Sequence, residues 1–419
     1  MTSALSVHSS ASANDVCWVD KDNTLADWIH RDQRHCATYL GQLFANAPSQ
    51  HADHQPSEHC SEVVRLIPNV HTKTALLRAG DSVLPVTIND VQHDNSWVCS
   101  PYTAAISYAG EETRHLRSST ARFVTRTLIA AADPLLRWGQ IDRVLCVNNY
   151  LLSTNLYPPI DDAQVPAILQ LLRDTFPNHA IMWRSLNAIS NADLIGSLRS
   201  AGCAIAASRQ IWWYDGADGG YLHAKDNRRD GTLLRRTALT EIGHEDLDER
   251  FDQRITDLYS QLYLKKYSRY NPDYNARYLR LARQSGLFAF HGFLQWNQDV
   301  APGDCRQAHP DDLLAIVGMF RMGTTLSSPI VGYDMTRPRE LGLYRLVAGH
   351  VLRRAADDAL LLNLSAGVGH FKRMRGGTPA IEYSAIDIRH VPWRQRMVWR
   401  MTAELLNRVG APLLQKYRL

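Results

Sequence analysis

Between Arg143 and Trp213 the chain alternates strand and helix signals without interruption, and that alternation limits the folds open to it. Arg143 to Val147 is a short apolar run, and Asp162 to Phe176 places its apolar residues at helical spacing, with Asp161 or Asp162 available as cap. Ala180 to Trp183 is apolar again, Asn191 to Ser200 is helical and closes on Ala201-Gly202, and Cys203 to Trp213 continues as a strand. Strands separated by single helices bury themselves by laying those helices on a sheet that contains parallel pairs. The expectation is an α/β fold.

The flanking sequence extends this pattern. Residues 1 to about 20 are small and polar and read as disordered, and Ala26 to Phe44 reads as one helix. A His-rich polar stretch, Ala47 to Glu62, reads as a loop. Val63 to Ile67, Thr74 to Arg78 and Val83 to Ile88 read as strands, the last two around an Ala79-Gly80-Asp81 turn. Thr120 to Trp138 is an amphipathic helix. Asp215 to Asp230, rich in Gly and charge, reads as a linker. Beyond it lie a helix stripe on Leu247, Phe251, Ile255, Leu258 and Leu262, and a second helix from Asp273 to Gln284. Strands are expected at Leu287 to Phe290, Leu313 to Arg321 and Ser327 to Tyr333, then a helix from Pro338 to Asp357 and strands at Leu360 to Leu364 and Ala380 to Ile388.

A length of 419 residues favours two domains over one core. The net charge of +4 is too small to mark a nucleic-acid binder by itself, although Arg389 to Leu419 holds six Arg and one Lys against one Glu. The cysteines at 17, 36, 60, 99, 146, 203 and 305 are odd in number and irregular in spacing, as expected of reduced thiols in a cytoplasm. Met1 to Asn14 lacks the basic and apolar regions of a secretory signal. No window approaches the 18 consecutive apolar residues of a membrane span, so the chain is expected in the cytoplasm, soluble or peripheral on the inner membrane face.

The run Leu360 to Gly367, then Gly369-His370-Phe371-Lys372-Arg373-Met374-Arg375-Gly376-Gly377, then Pro379 to Tyr383 reads as strand, basic turn, Gly-Gly break and strand. It resembles the end of the GNAT-like domains of FemAB-type acyltransferases. The element order of both halves is similar to that family too. The resemblance covers residues 60 to 390 and implies two tandem GNAT-like domains, each a mixed central sheet flanked by helices. The corresponding division is a 1–60 extension with one helix, domains at 61–225 and 226–390, and a basic amphipathic helix at 391–419.

That resemblance implies transfer of an acyl or aminoacyl group to an amine. A backbone N–H in the splay between two strands would stabilise the oxyanion, and a helix N-terminus would receive the donor's phosphates. Arg337 and Arg339, around Pro338, are the candidate phosphate partners, or else a solvated turn. Lys372 is the candidate for an anionic substrate end, or else part of a solvated basic turn. Asn363 and Ser365 would position the reacting groups. Glu382 or Asp334 would serve as base and Tyr383 as acid, although neighbours on a strand point to opposite faces. In the first half Asn149, Ser153 and Asn155 could line a neutral cleft, or satisfy their own loop by Asx-turns.

The donor stays open among acyl-CoA, an acyl carrier protein and aminoacyl-tRNA, with acyl-CoA the leading donor substrate and no permanently bound cofactor. Tyr259, Tyr263, Tyr267, Tyr270, Tyr274 and Tyr278 alternate with Lys and Arg and could stack a tRNA end, or form helices with a basic outer face. The acceptor would be a small-molecule or lipid-like amine. The tail from Trp393 to Leu413 could lie on an anionic membrane or cap the second sheet. His51, His54, His59 and Cys60 match no zinc spacing, so no metal is expected. The other reading is a degenerate GNAT-like protein that binds a carrier protein or small molecule without turnover.

Overall fold

The computed structural model describes residues 16–19, 25–45, 58–115, 118–295 and 308–417. The disorder expected of residues 1–15 and the loop reading of 46–57 lie outside them.

In the first half the strands are β1 (Val16–Trp18), β2 (Lys73–Ala79), β3 (Ser82–Asn89), β4 (Val144–Val147), β5 (Ala180–Asn187) and β6 (Ala204–Asp215). Its helices are α1 (Leu25–Trp28), α2 (Ala37–Leu43), α3 (Glu58–Leu66), α4 (Ala109–Glu112), α5 (Ser119–Trp138), α6 (Gln164–Thr175) and α7 (Ala192–Ser200). Then follow α8 (Lys225–Arg236), β7 (Thr240–Ile242), α9 (Asp252–Ser260), α10 (Ala276–Gln284), β8 (Ala289–Leu294), β9 (Leu313–Met322) and β10 (Thr325–Tyr333). The chain ends in α11 (Leu343–Asp357), β11 (Leu361–Asn363), α12 (Gly369–Met374), β12 (Thr378–Asp387), α13 (Trp393–Leu405) and α14 (Ala411–Tyr417).

Among the described residues all twelve strands join one sheet, in the order β1-β2-β3-β4-β5-β12-β6-β11-β10-β9-β8-β7. Two pairs are parallel, β4 with β5 and β10 with β11, and each is bridged by a helix, α6 or α11. Parallel neighbours need a long crossover, usually a helix, and the apolar faces of α6 and α11 lie on the sheet. Beside each parallel pair stands the last strand of the other half: β12 pairs with β5, and β6 pairs with β11. Nine residue pairs then couple β12 to β6 at the centre. The halves therefore share a continuous sheet, which supports the expected tandem GNAT-like arrangement and adds the exchange of their final strands.

Each half buries both sheet faces. In the first, α6 and α7 cover a core around Trp183, Leu172 and Leu198, while Leu136 of α5 and Val398 and Trp399 of α13 close the other face over Val144 and Ile386. In the second, α11 lays Leu346 and Leu352 over Trp212 and Leu314, and α9 and α10 cover Ile330 and Phe320. The C-terminal helix thus packs on the first half's sheet, not on the second as one reading of the tail had it.

Several local expectations are corrected. Val63 to Leu66 is helical, not extended, ending α3 just before buried Ile67, and a short apolar run does not distinguish the two periods. The expected helix from Ala26 to Phe44 is interrupted because buried Gln33 binds both backbone groups of Val83, through Nε2 at 2.7 Å and Oε1 at 2.9 Å. The expected linker is a turn and a 3-10 segment at Gly220–His223 that run into helix α8. Its Asp230 is fully buried and accepts from Arg345 Nε at 2.7 Å and Arg375 Nε at 2.6 Å, tying α11 and the end of α12 to it. At Gly216, before this segment, a Cβ would sit 2.0 Å from the Ala355 carbonyl oxygen, so the chain crosses α11 only with glycine there.

Candidate transfer site

The parallel register of β10 and β11 runs from Thr325 with Leu361 to Ser327 with Asn363 and then stops. β10 continues to Tyr333 alongside β9 alone, while the chain after Asn363 turns onto β6, with Leu364 N–H donating to Trp212 O at 2.9 Å and Trp212 N–H to Ser365 O at 3.2 Å. A splay opens there. At the same point β10 carries a bulge between Ser327 and Ile330. Pro329 explains it, since proline has no N–H for the ladder. The bulge retains the N–H of Ser328, and the buried Ser327 hydroxyl has no hydrogen-bond partner.

Helix α11 begins beside this strand end. A 3-10 turn at Arg339–Leu341 and left-handed Gly342, at φ 64°, precede it, so the expected start at Pro338 moves to Leu343. No side chain caps α11, and its first turn has no acid. Arg337 and Arg339 lie on the exposed approach to it. A helix start of this kind favours an anion. The first half differs: Asp161 and Asp162 precede α6, and Gln164 Oε1 accepts from Asp161 N–H at 3.2 Å. Its strand splay is filled by Tyr157, whose hydroxyl donates to Arg184 O at 2.5 Å, and by buried Arg184 bound to Val98 O.

Aromatic side chains surround the second-half splay. Tyr333 lies 5.9 Å from Tyr344 in the first turn of α11, and Tyr344 lies 4.8 Å from Phe371. Lys266 Nζ reaches the Tyr333 hydroxyl at 3.5 Å. Tyr263 and Tyr267 come from a π-helical turn at Gln261–Tyr267, and Tyr108 ends another at Thr103–Tyr108. Such turns are rare and concentrate at functional sites. Burial pushes the hydroxyls of Tyr108, Tyr263 and Tyr344 up, so they stay protonated. The Trp97 ring packs 5.6 Å from Tyr108, and the Arg184 and Arg209 guanidiniums lie 5.1 and 5.3 Å from its centroid.

The residues singled out from sequence fall into different places. Glu382 is held by Arg209 through two bonds, Nε to Oε1 at 2.8 Å and Nη2 to Oε2 at 3.0 Å, and its side chain is 4% exposed. Arg209 also donates to Ser153 O at 2.5 Å and Thr154 Oγ1 at 3.2 Å. Both carboxylate oxygens are occupied, which corrects the picture of Glu382 as a free base. Tyr383 packs against the first-half core on α6 and α7, so it does not join Glu382 as acid.

Asp334 accepts from Arg254 Nη2 at 2.9 Å, from Thr336 N–H at 3.0 Å and from Thr336 Oγ1 at 2.6 Å, with Arg337 Nε 3.5 Å away. Burial works against its ionisation, but the Thr336 bonds and Arg254 outweigh it and hold the carboxyl below its usual range. It anchors β10 to α9 and is a poor base.

Lys372 does not face an anion. Its Nζ donates to the carbonyls of Leu364 at 2.6 Å, Ser365 at 3.1 Å and Ala366 at 2.8 Å. Burial and the Arg209 charge push its ammonium down to about 7, while the three carbonyl dipoles favour the charged form. Asn363 accepts from Ser365 N–H at 2.8 Å, and Ser365 sits at φ 58°. Asn363, Ser365 and Lys372 together shape the turn that diverts the chain from β10.

In the first half Asn149 donates to Thr87 Oγ1 and Val98 O and accepts from Leu151 N–H, so the turn reading holds for it. Asn155 accepts from Tyr150 N–H at 3.0 Å, but its Nδ2 is buried without a partner. Ser153 contributes its carbonyl to Arg209.

Arg209, Trp97, Ser327 and Tyr108 were not singled out as a site from sequence, whereas Tyr263 and Tyr267 belong to the Tyr-rich run that was. Pro329 after two serines inside a strand was the readable signal for the bulge. The rest depends on contacts across more than a hundred residues.

The strand order, the two helix-bridged parallel pairs and the splay with its bulge define two GNAT-like halves in tandem. No family model and no curated protein matches the chain. Among solved structures it is similar to FemX, at 9% identity and a TM-score of 0.42 over 58% of this chain and 80% of that one. It is similar to L-PGS from Bacillus licheniformis, at 9% identity and 0.39 over 58% and 79%. A tandem GNAT protein from the clavulanic acid biosynthesis pathway aligns over 90% of this chain and 98% of its own, at 10% identity and 0.35.

Proposed function

We propose that the chain transfers an activated acyl or aminoacyl group to an amine by direct attack, at the β10–β11 splay of the second half. The observation that carries this reading is the juxtaposition of that bulged splay with the uncapped start of α11. The donor's phosphates lie at Leu343 to Arg345 with Arg337 and Arg339. The carbonyl being attacked lies at the bulge, where Ser328 N–H and the Ser327 hydroxyl stabilise the oxyanion. The amine nitrogen bonds to the carbonyl carbon, the donor leaves as a thiolate or a ribose hydroxyl, and the amine proton passes to solvent or to the leaving group. Arg209, fixed by Glu382 and Trp97, binds an anionic part of a substrate. Native mass spectrometry and turnover against acyl-CoA, an acylated carrier protein and aminoacyl-tRNA test this reading. Use of tRNA would fall steeply as salt rises.

One observation favours binding without turnover: Pro329 removes a backbone donor at the bulge. On that reading the donors bind but no amide forms.

A lipid-like acceptor and peripheral membrane contact are supported by the outer face of α5 and α13. Phe123, Leu128, Trp393 and Leu405 are between 62 and 72% exposed, and Trp138 and Trp393 meet at 5.6 Å. Arg394, Arg396 and Arg400 of the same helix suit anionic headgroups. Among the described residues no helix is long and apolar enough to cross a membrane.

A further inference from the structure

Arg184 carries a buried charge that the transfer chemistry does not use. It follows the point where the first half's parallel pair ends, since β4 and β5 register from Val144 with Ala180 to Val147 with Trp183. The residue is 8% exposed and forms no ion pair among the described residues. Its Nη1 donates to Val98 O. Its Nε and Nη2 have no hydrogen-bond partner among the described residues, and both keep contact with solvent. Arg209 shows what that edge of a guanidinium takes, because its own Nε and Nη2 hold the two oxygens of Glu382. Both guanidiniums lie beside the Trp97 ring, 5.1 and 5.3 Å from its centroid. One loop joins them: Ser153 O and Thr154 Oγ1 accept from Arg209, and Asn155 N–H donates to Ser185 Oγ at 3.1 Å, next to Arg184. The Asn155 amide nitrogen in that loop is buried without a partner. Two buried guanidiniums thus stand beside one carboxylate, and Glu382 is bonded to Arg209 alone of the two. A buried charge with no counter-ion is costly to keep.

We propose that the open edge of Arg184 binds a carboxylate of the amine acceptor, beside Trp97 and Arg209. The assignment to the acceptor rests on the transfer reading above; the carboxylate site does not. A planar carboxylate matches a guanidinium edge in two parallel bonds, and it supplies the counter-ion that Glu382 gives only to Arg209. The position of the site also limits the acceptor's size. β5 stands four strand steps from β10, about 19 Å across the sheet, and the arginine side chain spans only part of that. An acceptor with its carboxylate at Arg184 and its amine at the Ser327–Ile330 bulge is therefore longer than a free α-amino acid. Aromatic rings run between the two ends. Trp97 packs against Tyr108 at 5.6 Å, Tyr108 neighbours Tyr263, and Tyr344 neighbours both Tyr263 and Tyr333. The substrate class that fits is an amine joined through an apolar body to a terminal carboxylate.

The test is saturation-transfer NMR on the full chain with 4-phenylbutyrate, its uncharged amide 4-phenylbutanamide, and phenyl phosphate. It needs neither donor nor turnover, so it can fail while donor binding at the start of α11 stands, and the reverse. The wild type should bind the carboxylate at least about tenfold more tightly than the amide. Arg184→Met should remove that preference and leave amide binding in place. Equal binding of carboxylate and amide by the wild type, a preference that survives in Arg184→Met, or phenyl phosphate binding as tightly as the carboxylate would overturn the site. Where Arg184→Met does not fold, the indole N–H signal of Trp97 in labelled wild type, assigned from Trp97→Phe, decides. The carboxylate should move that signal further than the amide at equal concentration, and equal movement refutes the site.

Discussion

Arg209 is the residue on which the candidate site turns, because it binds Glu382 twice, holds the Ser153 carbonyl and lies over Trp97. Removing one member of so buried a pair leaves the other charge without compensation, a cost of about 3–5 kcal/mol. Arg209→Gln and Glu382→Gln should each lower unfolding stability in urea by that order, and the double variant by less than their sum. Additive losses would show that the two do not act as a pair. Ser327 gives the opposite signature. Its buried hydroxyl lacks a partner, so Ser327→Ala should leave stability unchanged or raise it, while kcat falls roughly 100-fold if the hydroxyl serves the oxyanion. Lys372 carries a pH prediction. With its pKa lowered from 10.5 to about 7, the unfolded chain binds more protons between those values. Stability should therefore rise from pH 7 towards 10.5, and Lys372→Met should flatten that rise. A wild-type profile no steeper than the variant's would mean that the three carbonyls keep the ammonium charged. None of these roles was legible locally. Glu382, Asp334 and Lys372 were singled out as chemically able residues, and each one's partners come from elsewhere in the chain or from a turn that only the fold creates.

At the scale of elements, the sequence was most readable where a single period dominated. Thr120 to Trp138, Asn191 to Ser200 and the strands at 74–78 and 83–88 lie where their patterns place them. It was least readable where polar residues do structural work. The 215–230 stretch looked like a linker because the inner face of α8 is polar, with Asn227 and Asp230 buried and bonded rather than solvated. The π-helical turns at 103–108 and 261–267 have no compositional signature, and they bring Tyr108, Tyr263 and Tyr267 towards the splay. The tail shows both behaviours at once. Val398, Trp399 and Ala403 of α13 are buried in the first-half core, while Trp393, Met401 and Leu405 face outward. Vesicles rich in anionic lipid should sediment the protein, and Leu128→Glu with Leu405→Glu should abolish this without unfolding it. Equal sedimentation of wild type and variant would remove the membrane contact.

For the whole molecule, the exchange of β6 and β12 is the feature that element order could not reveal. Sequence reading placed a boundary at residue 225, and each half shows most, though not all, of its expected elements. Yet β12 completes the first half's sheet beside β5, and β6 completes the second half's beside β11. Residues 61–225 expressed alone would leave the edges of β5 and β6 unpaired, and should not give a cooperative unfolding transition, whereas the full chain should.

On the proposed function, the second-half splay and the start of α11 hold an activated acyl donor. The direct measurement is native mass spectrometry of the wild type and the Arg337→Ser, Arg339→Ser double variant. Each is titrated with acetyl-CoA, long-chain acyl-CoA, free coenzyme A, an acylated carrier protein and aminoacyl-tRNA. At least one of these donors should bind saturably, with binding weakened at least about tenfold in the double variant by loss of the phosphate contacts. Binding that ignores the double substitution, or no binding of any donor, would contradict it.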